Sequence, residues 1–273
     1  MKKSVTKKLA VLFLGLSFTF LFSKERPIQI VFAHGLGGSY TGQGKNYKKL
    51  LFDFATQGDY SFFGQDFPEN YDTNQVSLCQ KPEACIFNNA LKGACIQDDQ
   101  PIILCGVSRG AATVLTSRTY DPELHKKVFA RIIEAPFSSF ESLLKRHPLY
   151  GWLPSWLTKK LLIKIAAPNA NINGIMPIEA VSQFPNDQTP TLIICSKTDA
   201  IVSWEESRDL AVALKKAGNK NVHLLVLEKG KHAKLLKLNS KEGDLYREVV
   251  RQFLAKYIYQ KSEDFSLLNS TLS

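Results

Sequence analysis

The 273-residue sequence has no Cys-x-x-Cys pair, no internal repeat, no low-complexity block and no long lysine–arginine run interleaved with aromatics. The first absence argues against a structural zinc site, whose thiolate ligands come in closely spaced pairs. The last argues against nucleic acid as a partner, because that needs a basic stripe with stacking aromatics beside it. Acidic residues are equally sparse where a metal would need them. Asp66 and Asp72 share one expected loop without a second cluster, so they read as turn residues rather than ligands. No metal and no cofactor is expected. What the chain does have is 44% hydrophobic residues, ample for a core, and a length that suits one α/β domain with an insertion.

Its one long apolar run, Leu9 to Phe22, is short for a membrane span, which takes about 20 residues. It follows a basic stretch holding Lys2, Lys3, Lys7 and Lys8 and precedes the polar Ser23–Pro27. That is the layout of a secretory signal peptide, and it points to export, periplasmic or secreted. Bulky Leu21 and Phe22 stand where cleavage favours small residues. An uncleaved anchor through residues 9–22, associating with a membrane, or a first strand of the sheet therefore stay as alternatives. No cysteine lies near Ser23, which argues against a lipid-modified bacterial amino terminus. Residues 1–23 are read apart from the folded unit 24–273. Their loss would take 35 Lys+Arg to 31 against 25 Asp+Glu, and the net charge from +10 to +6.

Of five cysteines, Cys105 and Cys195 sit inside apolar strands and read as packed thiols. Cys79, Cys85 and Cys95 lie in a less regular stretch. Export would allow two of them to pair, with Cys79–Cys85 sterically easy. Cys85–Cys95 is excluded if both lie on one helix, because ten residues rise about 15 Å and a bridge spans about 7 Å at most. A chain with no disulfide is the other reading.

Gly106-Val107-Ser108-Arg109-Gly110 is the most informative stretch. An apolar run, Pro101–Cys105, precedes this G-x-S-x-G pattern, and a helix-forming run, Ala111–Arg118, follows it. Strand, sharp turn and helix form the context of a nucleophile elbow, with the serine exposed on the turn. Glycines on both flanks let the backbone close up. A serine nucleophile needs a base, and the base needs an orienting acid. The chain supplies both in order. Strand Thr191–Ser196 leads to Asp199, and strand Asn221–Leu227 leads to His232, with a helix 205–217 between them. His34, His125, His147 and His223 are the rival bases, and Glu134, ending the preceding strand, is the rival acid. Strand Ile28–Ala33 leads to His34-Gly35-Leu36-Gly37-Gly38, a loop whose amides can turn toward a developing oxyanion. The N–H groups of Leu36 and Arg109 are the natural donors. The Arg109 side chain could also meet an anionic substrate group.

The glycine loop, the elbow, the Asp199 turn and the His232 loop together resemble the α/β-hydrolase superfamily, over most of the chain after about residue 27. The resemblance implies a doubly wound, mostly parallel sheet and a Ser-His-Asp hydrolase of esters, thioesters or peptides. Ser108, Asp199 and His232 would be the triad, with Leu36 and Arg109 as oxyanion donors and a small-molecule acyl compound as substrate. A carboxylic ester is the first reading. A peptidase of the same fold, or a non-catalytic binding protein on a hydrolase scaffold, is the alternative.

The rest of the chain alternates strand and helix, as a parallel sheet covered on both faces requires. Helices are expected near 45–56, 83–93, 109–119 and 243–259, and strands near 59–64 and 128–134; Lys261–Ser273 reads as frayed. The alternation breaks between Phe137 and Pro190. About 137–185 is read as a helical cap insertion, with a helix over Ser155–Ala166 and with Trp152 and Trp156 offering apolar contact to substrate. An insert that only covers core is the competing reading.

Overall fold

Short runs dominated by β-branched and other apolar residues become six strands: β1 Ile28–Ala33, β2 Tyr60–Gly64, β3 Ile102–Val107, β4 Val128–Glu134, β5 Thr191–Ser196 and β6 Val222–Leu227. All pair in parallel, in the order β2-β1-β3-β4-β5-β6. The computed structural model describes residues 27–273 except 57, 68–77, 97–99, 148–150, 155–156, 158–173, 238, 262–264 and 272–273. The segment 1–23, Asp72, Trp156 and most of the helix expected over 155–166 therefore lie outside the described residues.

Side chains alternate across each strand and feed two separate cores. Ile28, Ile30 and Phe32 of β1 face one side, with the helical stretch Tyr40–Ala55 and the helix Lys241–Tyr257. Val31 and Ala33 face the other, with the helices Lys81–Cys95, Arg109–Thr116 and Trp204–Lys216. This is the doubly wound architecture expected. Fully burying each such Val, Ile or Phe contributes about 1.5–3 kcal/mol, so the buried strands dominate the stability.

Strand order reverses direction between β1 and β3, and such a switch point opens a crevice at the carboxyl ends of the strands. The glycine loop leaves β1 there and the elbow leaves β3, in adjacent register, Ala33 opposite Gly106.

Several boundaries differ from expectation. The first helical stretch starts at Tyr40, where Ser39 Oγ accepts from Gly42 N at 3.0 Å, and it alternates wide π turns with α turns. Glu83 Oε2 accepts from Gln80 N at 3.1 Å and caps the start of the next helix, at Lys81. The carboxyl-terminal segment is not frayed throughout. Ser266–Asn269 is helical, Leu268 is buried, and its amide donates to Gln252 Oε1 at 3.0 Å. Its polar composition concealed an apolar anchor. Within the interval read as a cap, Pro177–Ser182 packs against the elbow helix and Trp204–Lys216 as part of the second layer. The other described helix there, Phe140–Arg146, is fastened at its base. Buried Glu206 accepts from Ser138 N and Oγ and from Arg146.

Candidate active site

The elbow's glycines are a steric necessity. A Cβ on Gly106 would stand 2.6 Å from Gly110 O, and one on Gly110 would stand 2.1 Å from Ala33 O. Between them Ser108 takes φ 55° and ψ −118°. L-residues rarely adopt positive φ, and strain of this kind marks functional turns. The turn is held by Ser108 N donating to Glu134 O at 2.8 Å and by Ala112 N donating to Ser108 O at 3.0 Å.

Three loops converge on this serine. His232 Nε2 lies 2.8 Å from Ser108 Oγ, and His232 Nδ1 lies 2.7 Å from Asp199 Oδ2. The other Asp199 oxygen accepts from the amides of Ile201 (2.9 Å) and Val202 (3.0 Å). The carboxylate is almost fully buried and met by three N–H groups. It fixes the imidazole with Nδ1–H toward Asp199 and Nε2 free to accept from serine. Thr198 joins the acid turn to the base loop: Gly230 N donates to its hydroxyl at 2.9 Å, and the hydroxyl donates to Gly230 O at 3.2 Å.

The glycine loop abuts the elbow. A side chain on Gly35 would come within 3.5 Å of Ser108 Cβ. The loop closes as a turn, Gly38 N donating to Gly35 O at 3.1 Å, with Gly37 at φ +70°. Gln43 Oε1 accepts from Gly35 N at 2.7 Å and orients the first peptide of the loop. His34 is fully buried, its Nδ1 2.8 Å from Gly35 O and its Nε2 accepting from Phe67 N. Leu36 is exposed at the tip. Arg109 opens the elbow helix, whose leading amides have no acceptor within the helix.

The Arg109 side chain bears on the alternative of a substrate contact. It is buried, stacked over the Phe67 ring at 4.6 Å and 3.6 Å from Glu83, so it cannot greet a substrate. Its guanidinium reaches back to Gly35 O at 3.5 Å, beneath the glycine loop.

Glu134, the rival acid, is buried at the end of β4. Tyr47 donates to its carboxylate, and the Tyr246 hydroxyl lies alongside. Burial pushes its carboxyl up to about 7, and the nearby Asp199 charge raises it further, against the lowering by Tyr47, Tyr246 and His232.

The other histidines are engaged elsewhere. His125 is buried on Ser117 and Asn88, and burial pushes it down to about 3. His223 bonds Tyr257 and Thr271 and is pushed down to about 4 by burial. His147 follows the helix Phe140–Arg146. Asp66 accepts from Tyr40 N, as a turn residue would. Trp152 stands 79% exposed, while Trp156 lies outside the described residues. All five cysteines are free thiols. Among the described residues, no group of three His, Cys, Asp or Glu side chains could hold a metal ion, and no helix is long and apolar enough to cross a membrane.

Gln43, Glu83 and Thr198 support the site without having been singled out in the sequence. Their partners lie eight, 26 and 32 residues away, and no local spacing marks them.

A sequence profile of the prolyl oligopeptidase family matches residues 62–261. No curated protein sequence matches the chain. Among solved structures, an esterase of Pyrococcus furiosus is 18% identical, with a TM-score of 0.57 over 86% of this chain and 84% of that one. An acylaminoacyl peptidase of Pyrococcus horikoshii is 16% identical, with a TM-score of 0.61 over 89% of this chain but 39% of that longer one. The esterase domain of a Rhodothermus marinus protein is 18% identical, with a TM-score of 0.51 over 84% and 87%. At these identities the likeness establishes the shared fold.

Proposed function

Because the chain belongs to the prolyl oligopeptidase family of serine hydrolases, we propose that it hydrolyses a carboxylic ester through an acyl-enzyme on Ser108. Ser108 Oγ attacks the carbonyl carbon while His232 Nε2 takes its proton. Asp199 keeps the imidazole in the required tautomer and stabilises the imidazolium. The amides of Leu36 and Arg109 stabilise the tetrahedral oxyanion. His232 then protonates the leaving oxygen, and water, deprotonated by the same histidine, releases the acid. The observation that carries this reading is the continuous chain of hydrogen bonds from Ser108 through His232 to Asp199, at 2.8 and 2.7 Å.

Coverage favours an ester. The chain matches most of the Pyrococcus esterase but two fifths of the acylaminoacyl peptidase. The family's name favours the second reading, a peptidase. Short p-nitrophenyl esters tested against aminoacyl-nitroanilides separate the two. Trp152 and Trp156 would add apolar contact to the acyl group, and residues 1–23 would direct export. Amino-terminal sequencing of exported protein tests the latter.

Ser108→Ala should lower ester turnover by about 10³-fold or more, with the fold intact by circular dichroism. A variant retaining a tenth of wild-type activity would remove Ser108 from the mechanism.

A further inference from the structure

A cleft of about 680 Å³ opens between the helical stretch Tyr40–Ala55 and the segment Lys229–Glu242. Its walls adjoin the candidate machinery. Lys231 and Ala233, the neighbours of His232 on both sides, line it. Gln43 lines the opposite wall, and its side chain holds the first amide of the glycine loop. The cleft therefore adjoins the site on the side of the base.

Its chemistry is lopsided. Lys229, Lys231, Lys234 and Lys237 line it against a single acid, Glu242. Among the described residues none of these four lysines enters an ion pair, whereas nearby Lys197 is paired with Glu228. The floor is apolar, with Leu50, Leu235 and Leu236. The four lysines come from the one segment, 229–237, that walls a concavity rather than a flat face, which suits a small ligand over a lipid surface.

In the proposed mechanism His232 returns the serine proton to the departing atom, so the leaving group must lie against the imidazole. We infer that the cleft receives a leaving group bearing an anionic charge on an apolar body. This rests on the proposed triad and adds the substrate class. The preferred substrate is an ester whose alcohol or phenol half carries a carboxylate. In acylation the Ser108 Oγ–carbon bond forms and the carbon–oxygen bond to the leaving group breaks. The serine proton passes through His232 Nε2 to that oxygen, and the carboxylate stays ionised among the lysines throughout.

The test compares two acetate esters on the purified chain: 3-(4-acetoxyphenyl)propionate and 3-(4-acetoxyphenyl)propionamide. They share the acyl group and differ in one remote charge. The carboxylate should be favoured by about fivefold in kcat/KM at low salt, the scale of solvent-screened charge pairs. The preference should shrink toward unity at high salt. Lys231→Gln/Lys234→Gln should bring the ratio near one, and Lys234→Glu should push it lower still. Reaction of Ser108 with a small fluorophosphonate, whose fluoride leaving group needs no cleft, reports the triad separately. A wild-type ratio at or below one, a ratio untouched by the variants, or labelling without hydrolysis of either ester would overturn the inference. Absence of both labelling and hydrolysis would instead overturn the triad on which it rests.

Discussion

Asp199 follows β5 and Glu134 ends β4, one strand away, yet the two carboxyls live in opposite surroundings. Asp199 is met by two backbone amides and an imidazole N–H. Glu134 is buried with Tyr47 bonded to one oxygen and the Tyr246 hydroxyl alongside, and it is pushed up to about 7. Both stand where an open α/β sheet places functional acids. What separates them is the number of N–H donors aimed at each. A strand end supplies the position; the turn that follows supplies the donors. Asp199 has such a turn, through Ile201 and Val202. Glu134 instead gives its backbone carbonyl to the elbow.

The largest effect expected from this contrast is on catalysis. Asp199→Asn should lower kcat/KM for a p-nitrophenyl ester by about 10⁴-fold, as loss of a triad acid does. Glu134→Gln should stay within severalfold of wild type. A reversed order in steady-state assays would move the acid to β4.

The next effect is on stability and belongs to Glu134. Its carboxyl binds a proton more tightly folded than unfolded. Stability is therefore full below the unfolded value near 4.5, falls as pH rises through the folded value of about 7, and is level above it. The cost at pH 8 is about 3 kcal/mol. Glu134→Gln, which imitates the protonated form and can still accept from Tyr47, should match wild type near pH 4.5 and exceed it at pH 8. Urea unfolding at the two pH values measures this, and equal stability at both would show Glu134 to be ionised without penalty.

The smallest effect concerns the tie between the acid turn and the base loop. Thr198→Val removes the hydroxyl that holds Gly230. One exposed hydrogen bond is worth about 1 kcal/mol, so kcat should fall about fivefold with KM unchanged. An unchanged kcat would mean that the His232 loop holds its place without Thr198.

The architecture and the convergence of Ser108, Asp199 and His232 were legible because their signals are local. Glycines that cannot bear a Cβ flank the serine, and each strand leads straight into its loop. Helix ends shifted by a few residues because caps such as Ser39 and Gln80 act from outside the apolar period. What the sequence concealed is contact at long range. Glu83 meets Arg109 across 26 positions and buries a guanidinium that looked available to substrate. Tyr47 and Tyr246 close over Glu134 from two helices far apart in the chain. Leu268 anchors a tail whose composition is polar. None of these pairs leaves a spacing pattern.

The contrast between the two acids comes down to which of them holds the His232 Nδ1 proton. Proton NMR of the strongly deshielded imidazole N–H resonance reads this directly. The resonance should be present in wild type and in Glu134→Gln and lost in Asp199→Asn. Its survival in Asp199→Asn together with its loss in Glu134→Gln would contradict the assignment of Asp199.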